Sequence, residues 1–452
     1  FCDGMTEQLI TNLSRIPDLL VIARTSVMQY KKSQKDIRQI SNELNVVYIL
    51  EGSVRKSGNQ VRVTAQLIKA DEGFHLWADD YDQELTDIFA IQDDVSQSIA
   101  KALEVTFSER VSKAVATGYP RNVEAYDYHL KARHYIENIY LMTKEEKDFQ
   151  QALALAQKAI ELDPEYALGY SGLGYLFENH WIVTGDRRYL EKENEYAAKA
   201  YKLNPELPET NAALGLRFLR EGKNDKAFSY MRSALKLSPN NGAALHLFGV
   251  FNWFLGLYQQ AAEYYSKALE LDPLSIHTLT NRGWTLLLIG EFDCALQVFE
   301  KAYKIQPNHV NNLNGYAFAL IIKQQYRQAD ELLTLAESQP PGMASAELSA
   351  IRGFYYAVIG KSKQALFVNS WGGVLAILGR KDDALNFIDN ASKTEGKFYY
   401  LLSYLPLVNL PIYDSLRVEP RFQEIVKREK EKYETRLRQY AIPLNEEIAS
   451  RK

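Results

Sequence analysis

Cysteine and histidine are scarce in this chain. Its 452 residues contain two cysteines, Cys2 and Cys294, which excludes a disulfide framework and a thiolate metal site. The seven histidines are scattered, and His129 and His134 are five residues apart, a spacing that does not place both on one helical face. We therefore expect no metal site and no cofactor. The cysteine count leaves the compartment open, because cysteine-poor proteins occur in oxidising and reducing environments alike.

Long apolar runs and an excess of one charge are also missing. The nearest approach to an apolar span of 18 residues is "YYLLSYLPLVNLPIY", which is short and is interrupted by Pro406 and Pro411. We expect no membrane span in this chain. The net charge of −4 provides no electrostatic footprint for nucleic acid, so we expect none to be bound. The sequence begins with "FCDGMTEQLI", neither an initiator methionine nor a signal peptide, and is interpreted as part of a longer protein.

Motifs that would carry catalysis are incomplete. The "GKS" at 360–362 lacks the glycine that a phosphate-binding loop requires five positions earlier, where Tyr355 stands. The "GYSGLG" at 169–174 lies inside a predicted repeat helix instead of following a strand. The acidic clusters "ADDYDQE" and Asp93–Asp94 lack the spacing of a calcium loop and are interpreted as solvated carboxylates. We predict no catalytic residues, and any catalytic domain would lie outside this chain.

A period of 34 residues dominates the sequence after about residue 120. Prolines mark it at Pro205, Pro239, Pro273, Pro307 and Pro341. Gly215, Gly249 and Gly283 follow the same step. Such a period indicates stacked supersecondary units, in which small residues lie where two helices cross closely and proline ends the second helix.

This pattern resembles the tetratricopeptide repeat (TPR). Three consecutive matches are "ALGLRFLREGKNDKAFSYMRSALKLSP", "HLFGVFNWFLGLYQQAAEYYSKALELDP" and "TNRGWTLLLIGEFDCALQVFEKAYKIQP". An earlier copy ends at Pro164, 41 residues before the next proline, so "HWIVTGDRR" is predicted to be a loop inserted between two helices. Further on, Ala365 and Ala384 are 19 residues apart, and we expect that one helix is lost or that residues are missing. The resemblance implies an all-α right-handed superhelix of about seven or eight hairpins over 119–400, with capping helices or a tail over 401–452.

The front of the chain has a different pattern. Alternating residues predict a β-hairpin over Tyr48–Ile68, with Ser57, Gly58 and Asn59 at its turn. Helices are predicted at "MTEQLITNLSRI" and "DIRQISNELNV", strands at "LLVIAR" and "FHLWADDYD", and a closing helix that Thr86 or Asp87 caps. The order α-β-α-β-β-β-α implies a small α/β (α+β) domain with helices against a mixed sheet.

The same region resembles the TolB-amino-terminal-like domain. The residues that carry the resemblance include "DGMTEQLI", "VIARTSV", "ELNVVYILEGSVRKSGNQVRVTAQLI" and "HLWADDYDQELTDIFAIQDDV". The resemblance implies an α/β domain over 1–118 whose first strand is absent from this sequence. In bacterial signalling proteins this domain precedes TPR repeats and is joined to a class III adenylate or guanylate cyclase, a winged-helix regulator or a kinase, often across a membrane helix. The resemblance does not indicate which effector domain precedes Phe1.

The groove that first helices of TPR repeats line is the candidate binding site. With repeats starting at Pro208, Gly242, Ile276 and Val310, the resemblance implies which positions face it. The candidate residues there are His246, Trp253, Phe254, His277, Trp284, Asn311, Asn314 and Phe318. Aromatic residues in such a groove are candidates for anchoring a partner, and the alternative is that they pack on neighbouring helices. The Lys and Asn set with which chaperone-binding members clamp a carboxylate is not matched.

These patterns support one leading hypothesis and one alternative. The first is a non-catalytic regulatory region of a bacterial signalling protein whose TPR groove binds a peptide or protein partner. The alternative is the ligand-sensing regulatory half of a class III adenylate or guanylate cyclase. A homodimer is left open. The compartment is unknown: extracytoplasmic if a membrane helix lies upstream, and otherwise cytoplasmic.

Overall fold

The structure is a computed structural model. It describes residues 2–14, 16, 19–31, 33–57, 60–84, 88–103, 121–339, 345–369, 371–394 and 399–441. The strands are β1 (Tyr48–Ser57), β2 (Gln60–Lys69) and β3 (Phe74–Glu84). The helices up to residue 203 are α1 (Cys2–Ser14), α2 (Arg24–Val27), α3 (Ile37–Leu44), α4 (Ile88–Ala102), α5 (Val123–Tyr135), α6 (Leu141–Thr143), α7 (Glu146–Leu162), α8 (Ala167–Thr184) and α9 (Arg187–Leu203).

The remaining helices continue in pairs and end in a separate C-terminal group. They are α10 (Pro208–Arg220), α11 (Asn224–Leu237), α12 (Gly242–Phe254), α13 (Tyr258–Leu271), α14 (Ile276–Ile289), α15 (Phe292–Ile305), α16 (Val310–Ile322), α17 (Tyr326–Glu337), α18 (Ser345–Val358), α19 (Ser362–Val368), α20 (Gly372–Ile377), α21 (Lys381–Thr394), α22 (Tyr399–Leu402), α23 (Tyr404–Asn409) and α24 (Pro420–Tyr440). Short 3-10 helices occupy Met28–Tyr30 and Pro411–Leu416, and a π-helix occupies Ile136–Tyr140.

The chain divides into two compact units. Unit 1 comprises Phe1–Leu247 and Glu270–Pro273, and unit 2 comprises Phe248–Leu269 and Leu274–Lys452. The boundaries predicted at residues 118 and 400 stay predictions.

The β-sheet of unit 1 confirms the predicted hairpin. Leu50 pairs with Leu67 and Gly52 with Ala65, and the strand order is β1-β2-β3. Alternate residues of β2 are buried, as the period of two requires, and they join α1 and α4 in one core. Glycine is needed at position 52, because a Cβ there would lie 2.7 Å from the carbonyl oxygen of Thr64. The predicted mixed sheet was wrong: the described strands are all antiparallel. The residues Gly58, Asn59, Thr86 and Asp87 lie outside the described part.

The strand predicted at "LLVIAR" is not formed. Residues 19–23 are instead an extended connection, and two of its backbone groups are hydrogen-bonded to the helical repeats within unit 1. The backbone N–H of Ala23 donates to the carbonyl oxygen of Leu271 at 2.6 Å. The side-chain amide of Asn240 donates to the carbonyl oxygens of Ile16 and Leu19 at 3.3 and 3.0 Å. An apolar run of this length does not distinguish a strand from such a connection.

The predicted repeat starts are confirmed. Helices α10, α12, α14 and α16 begin at Pro208, Gly242, Ile276 and Val310. The small residues have the predicted role, because a Cβ at Gly283 would lie 2.5 Å from the ring of the fully buried Phe299.

Two irregularities of the array differ from the predictions. "HWIVTGDRR" is not an inserted loop, because α8 and α9 lengthen to 18 and 17 residues and only Gly185 and Asp186 separate them. The left-handed backbone of Gly185 (φ 71°) ends the first of these helices. Of the two explanations offered for the 19-residue spacing of Ala365 and Ala384, the loss of one helix was also wrong, and missing residues stay a prediction. Both helices are present, shortened to seven residues in α19 and six in α20.

Residues 399–441, here called the C-terminal segment, pack on the first helices of unit 2. The Tyr258 hydroxyl donates to the carbonyl oxygen of Tyr400 at 3.0 Å and lies 3.0 Å from the Ser403 hydroxyl. Further along, the Tyr440 and Phe251 rings meet edge-on with centroids 5.6 Å apart. Residues far apart in sequence therefore share one core.

Candidate functional site

A pocket of about 200 Å³ opens in unit 2. It is built by the first helices of successive repeats, α12, α14, α16 and α18, together with one residue of α13 and one of the C-terminal segment. Its lining residues are Val250, Trp253, Phe254, Tyr265, Asn281, Trp284, Asn311, Glu347 and Tyr400. The 34-residue period explains this convergence, since equivalent positions of consecutive repeats lie on the same side of the array.

Three aromatic rings form the walls of the pocket. Tyr400 contacts both indoles: its ring centroid lies 5.3 Å from that of Trp253 at an interplanar angle of 33°, and 6.1 Å from that of Trp284 at 82°. The Trp284 ring is held in place by a hydrogen bond, because its Nε1 donates to the carbonyl oxygen of Asn311 at 3.2 Å. A wall held by ring contacts and a backbone hydrogen bond is preorganised for a ligand.

The accessible edge of the pocket is aromatic. Phe254 is 59% exposed, although it is a large apolar side chain, and Trp253 beside it is partly buried, with their ring centroids 5.5 Å apart. Adjacent exposed aromatic surface next to a concavity is typical of an interaction site.

Polar groups within the pocket are few. Asn281 hydrogen-bonds with the Tyr265 hydroxyl, and burial raises the pKa of that hydroxyl above its usual range. Glu347 contributes a carboxylate whose Oε2 atom is buried and has no hydrogen-bond partner among the described residues. Burial also raises the pKa of the Tyr400 hydroxyl, and the negative charge of Glu347 raises it further. The carboxylate is therefore close enough to Tyr400 to act on it electrostatically.

The structure brings together half of the residues predicted from the sequence. Trp253, Phe254, Trp284 and Asn311 line the pocket. His277 lies outside it, with its ring 5.6 Å from that of His309. His246 belongs to unit 1.

Two predicted groove residues are packing residues instead. Asn314 is fully buried, and Phe318 is 1% exposed between the rings of Trp284 and Phe354, with centroid distances of 6.1 and 5.3 Å. Trp284 is itself 5% exposed. The alternative of packing on neighbouring helices therefore holds for Phe318 and in large part for Trp284, because helices of adjacent repeats approach closely on this side.

Sequence reasoning missed Tyr265, Asn281, Glu347 and Tyr400. Glu347 lies in a region where the repeat signature weakens, so no repeat position could be assigned to it. Tyr400 follows the array and has no repeat position at all. A signal was nevertheless present, since an apolar run such as "YYLLSYLPLVNLPIY" has to be buried against some apolar surface.

The described residues form neither a metal site nor a membrane span. No group of three or more His, Cys, Asp or Glu side chains in the described ranges is placed to hold a metal ion. Among the helices that the structure describes, none is long and apolar enough to span a bilayer.

Models of two known protein families match separate parts of this chain. Residues 212–276 and 253–310 match the tetratricopeptide repeat family, and residues 2–100 match the family described as the second domain of HilA/YgeH-like transcriptional regulators. The predicted fold class is confirmed: a small region with a three-stranded sheet precedes a mostly helical TPR region, a non-catalytic fold of protein–protein interaction. The resemblance of the front region to TolB-amino-terminal-like domains stays a prediction.

Individual relatives match only parts of the chain. "Putative adenylate cyclase 3" of Rhizobium meliloti is 38% identical over 185 residues, which are 40% of this chain and 31% of the relative. A TPR repeat-containing protein of Pseudomonas aeruginosa is 29% identical over 107 residues, 24% of this chain and 17% of the relative. The solved structure of PilF from Pseudomonas aeruginosa superposes with a TM-score of 0.38 at 20% identity, covering 50% of this chain and 97% of PilF. The chain thus spans less than a third of the length of either of the first two relatives.

Proposed function

We propose that this chain is a non-catalytic regulatory region of a bacterial signalling protein, and that the pocket of unit 2 anchors a peptide segment of a partner protein. The observation that carries this proposal is the exposed Phe254 beside Trp253 at a preformed pocket on TPR helices. Such aromatic side chains dominate interface energies when a partner covers them.

A selection from a random peptide library tests the proposal, because such a selection does not require that the natural partner be identified first. Peptides enriched on the wild-type chain are synthesised, and their dissociation constants are measured by fluorescence anisotropy against the wild type and two variants. Phe254→Ala removes an anchor at the pocket. Phe367→Ala is the matched control, because Phe367 is 91% exposed on α19 in the same unit and does not line the pocket.

We expect Phe254→Ala to weaken binding about 30-fold, which corresponds to a loss of roughly 2 kcal/mol. Phe367→Ala should bind as the wild type does. Equal binding by all three proteins, or a selection that enriches no peptide, would contradict the proposed function.

A second candidate function is favoured by the cyclase similarity. The 185 residues that are 38% identical to "Putative adenylate cyclase 3" support a regulatory half of a class III cyclase, whose catalytic domain would lie outside this chain. The match of residues 2–100 to a domain of transcriptional regulators supports instead a winged-helix effector. In the cyclase case the front region would sense a small ligand.

Thermal unfolding in the presence of a panel of nucleotides and metabolites separates this candidate from the first. A ligand that binds the native front region raises the unfolding midpoint with its concentration. The shift should persist in Phe254→Ala, because the pocket is not involved. A panel without any shift would count against ligand sensing and leave the peptide-binding proposal untouched.

A further inference from the structure

The pocket contains one carboxylate side chain. Glu347 alone is charged among the described residues that line it. Its buried Oε2 atom has no hydrogen-bond partner in the part of the chain that the structure describes. A buried carboxylate oxygen without a donor is unfavourable, so a positively charged group placed beside this carboxylate in the pocket reduces that cost. An anionic ligand would be repelled.

The aromatic walls favour the same kind of ligand. Trp253 and Trp284 surround the cavity together with Tyr400, and their ring centroids lie 5.3 and 6.1 Å from that of Tyr400. The faces of aromatic rings attract ammonium and guanidinium groups. Val250 and Phe254 add apolar surface that suits the methylene stem behind such a charged group.

The volume limits the size of the ligand. Pockets for cofactors and drug-sized molecules measure roughly 300–1,000 Å³, whereas this one measures about 200 Å³. A single side chain fits this volume better than a nucleotide does. On these grounds, and resting on the proposed function, we infer that the pocket accepts the basic side chain of an arginine or lysine in the partner peptide, with Glu347 as its counter-ion.

The test uses the peptides enriched in the library selection. The basic residue whose replacement by alanine costs most affinity is changed to its neutral isostere, citrulline for arginine or norleucine for lysine. Binding of both peptide forms is measured on the wild type, on Glu347→Gln and on Asp382→Asn. Asp382 is an exposed carboxylate on α21 outside the pocket, so its variant changes the net charge of unit 2 equally.

We expect the wild type and Asp382→Asn to prefer the charged peptide about 10-fold. In Glu347→Gln, which keeps the shape of the side chain, the preference should fall to about twofold or less. Thermal unfolding of each variant verifies that it is folded.

Three outcomes would overturn the inference. The first is an equal affinity of the wild type for the charged and neutral peptides while Phe254→Ala still weakens both, which would leave the proposed function standing. The second is an unchanged preference in folded Glu347→Gln. The third is competition by free arginine or choline at micromolar concentration, which would assign the pocket to a small cation instead of a peptide.

Discussion

Replacing Gly283 by alanine should destabilise unit 2, although alanine favours helices. A Cβ at this position of α14 would lie 2.5, 2.7 and 2.8 Å from three ring carbons of Phe299 on α15, whereas carbon atoms in contact are normally about 3.5–4.0 Å apart. The ring would have to retreat by about 1 Å. The space for such a movement is small, because Phe299 is fully buried and its ring also contacts Gly315, where a Cβ would lie 2.5 Å from the ring.

The net change in the free energy of unfolding caused by Gly283→Ala is the difference between two opposing contributions. Overpacking a core costs about 1–3 kcal/mol, and the better helix propensity of alanine returns about 1 kcal/mol. Because the ring is fully buried and packs closely against both Gly283 and Gly315, we expect a net loss of about 2 kcal/mol, or about 4–8 °C in the unfolding midpoint. Gly215→Ala is the comparison, since its Cβ would meet the flexible side chain of Met231 and should cost less.

Urea unfolding monitored by tryptophan fluorescence measures the loss of stability in Gly283→Ala and in Gly215→Ala. A double variant, Gly283→Ala with Phe299→Leu, should be more stable than the sum of the two single losses predicts, by about 1 kcal/mol, because the smaller side chain relieves the overlap. The reasoning is refuted if Gly283→Ala is as stable as the wild type or if the two losses are additive.

Three further expectations concern other parts of the molecule. Phe318→Ala should lower the stability of unit 2 by about 3–5 kcal/mol in urea unfolding, because Phe318 is a buried packing residue. Burial lowers the pKa of His180, whose Nδ1 lies 2.7 Å from the Tyr140 hydroxyl, so the folded state should lose stability as pH falls below about 6.5 and the imidazole has to be protonated. The thermal unfolding midpoint, measured from about pH 7.5 to 5.5, should therefore fall less in His180→Gln than in the wild type. Asn240→Ala removes the donor to the carbonyl oxygens of Ile16 and Leu19, so limited proteolysis should cut residues 19–27 faster than in the wild type.

The sequence was sufficient where a period repeats. The 34-residue step located the first residues of four helices, and alternation over Tyr48–Ile68 predicted the hairpin that the structure contains. Both results depend on local geometry, in which every repeat or every second residue has the same environment.

The failures concern contacts between residues that are distant in sequence. The extended connection at 19–23 depends on Asn240 and Leu271, which no local pattern reveals. Repeat positions predicted four of the nine residues that line the pocket, whereas Tyr400 and Glu347 were not predicted. Repeat positions could not decide whether Phe318 lines the groove or packs on neighbouring helices, because they do not reveal how closely the helices of successive repeats pack.

The return of the C-terminal segment limits how this array can change in evolution. Repeat arrays usually gain or lose whole units freely, because each unit contacts only its neighbours. Here Tyr400 must reach Trp253 and Tyr258, and Tyr440 must reach Phe251, across all the intervening helices. Duplication or deletion of one hairpin between residues 310 and 394 would displace these residues by a full unit. The contacts of the C-terminal segment therefore fix the number of helical hairpins. We expect the sequence of this protein to vary by substitution of single residues instead of by duplication or deletion of whole repeats.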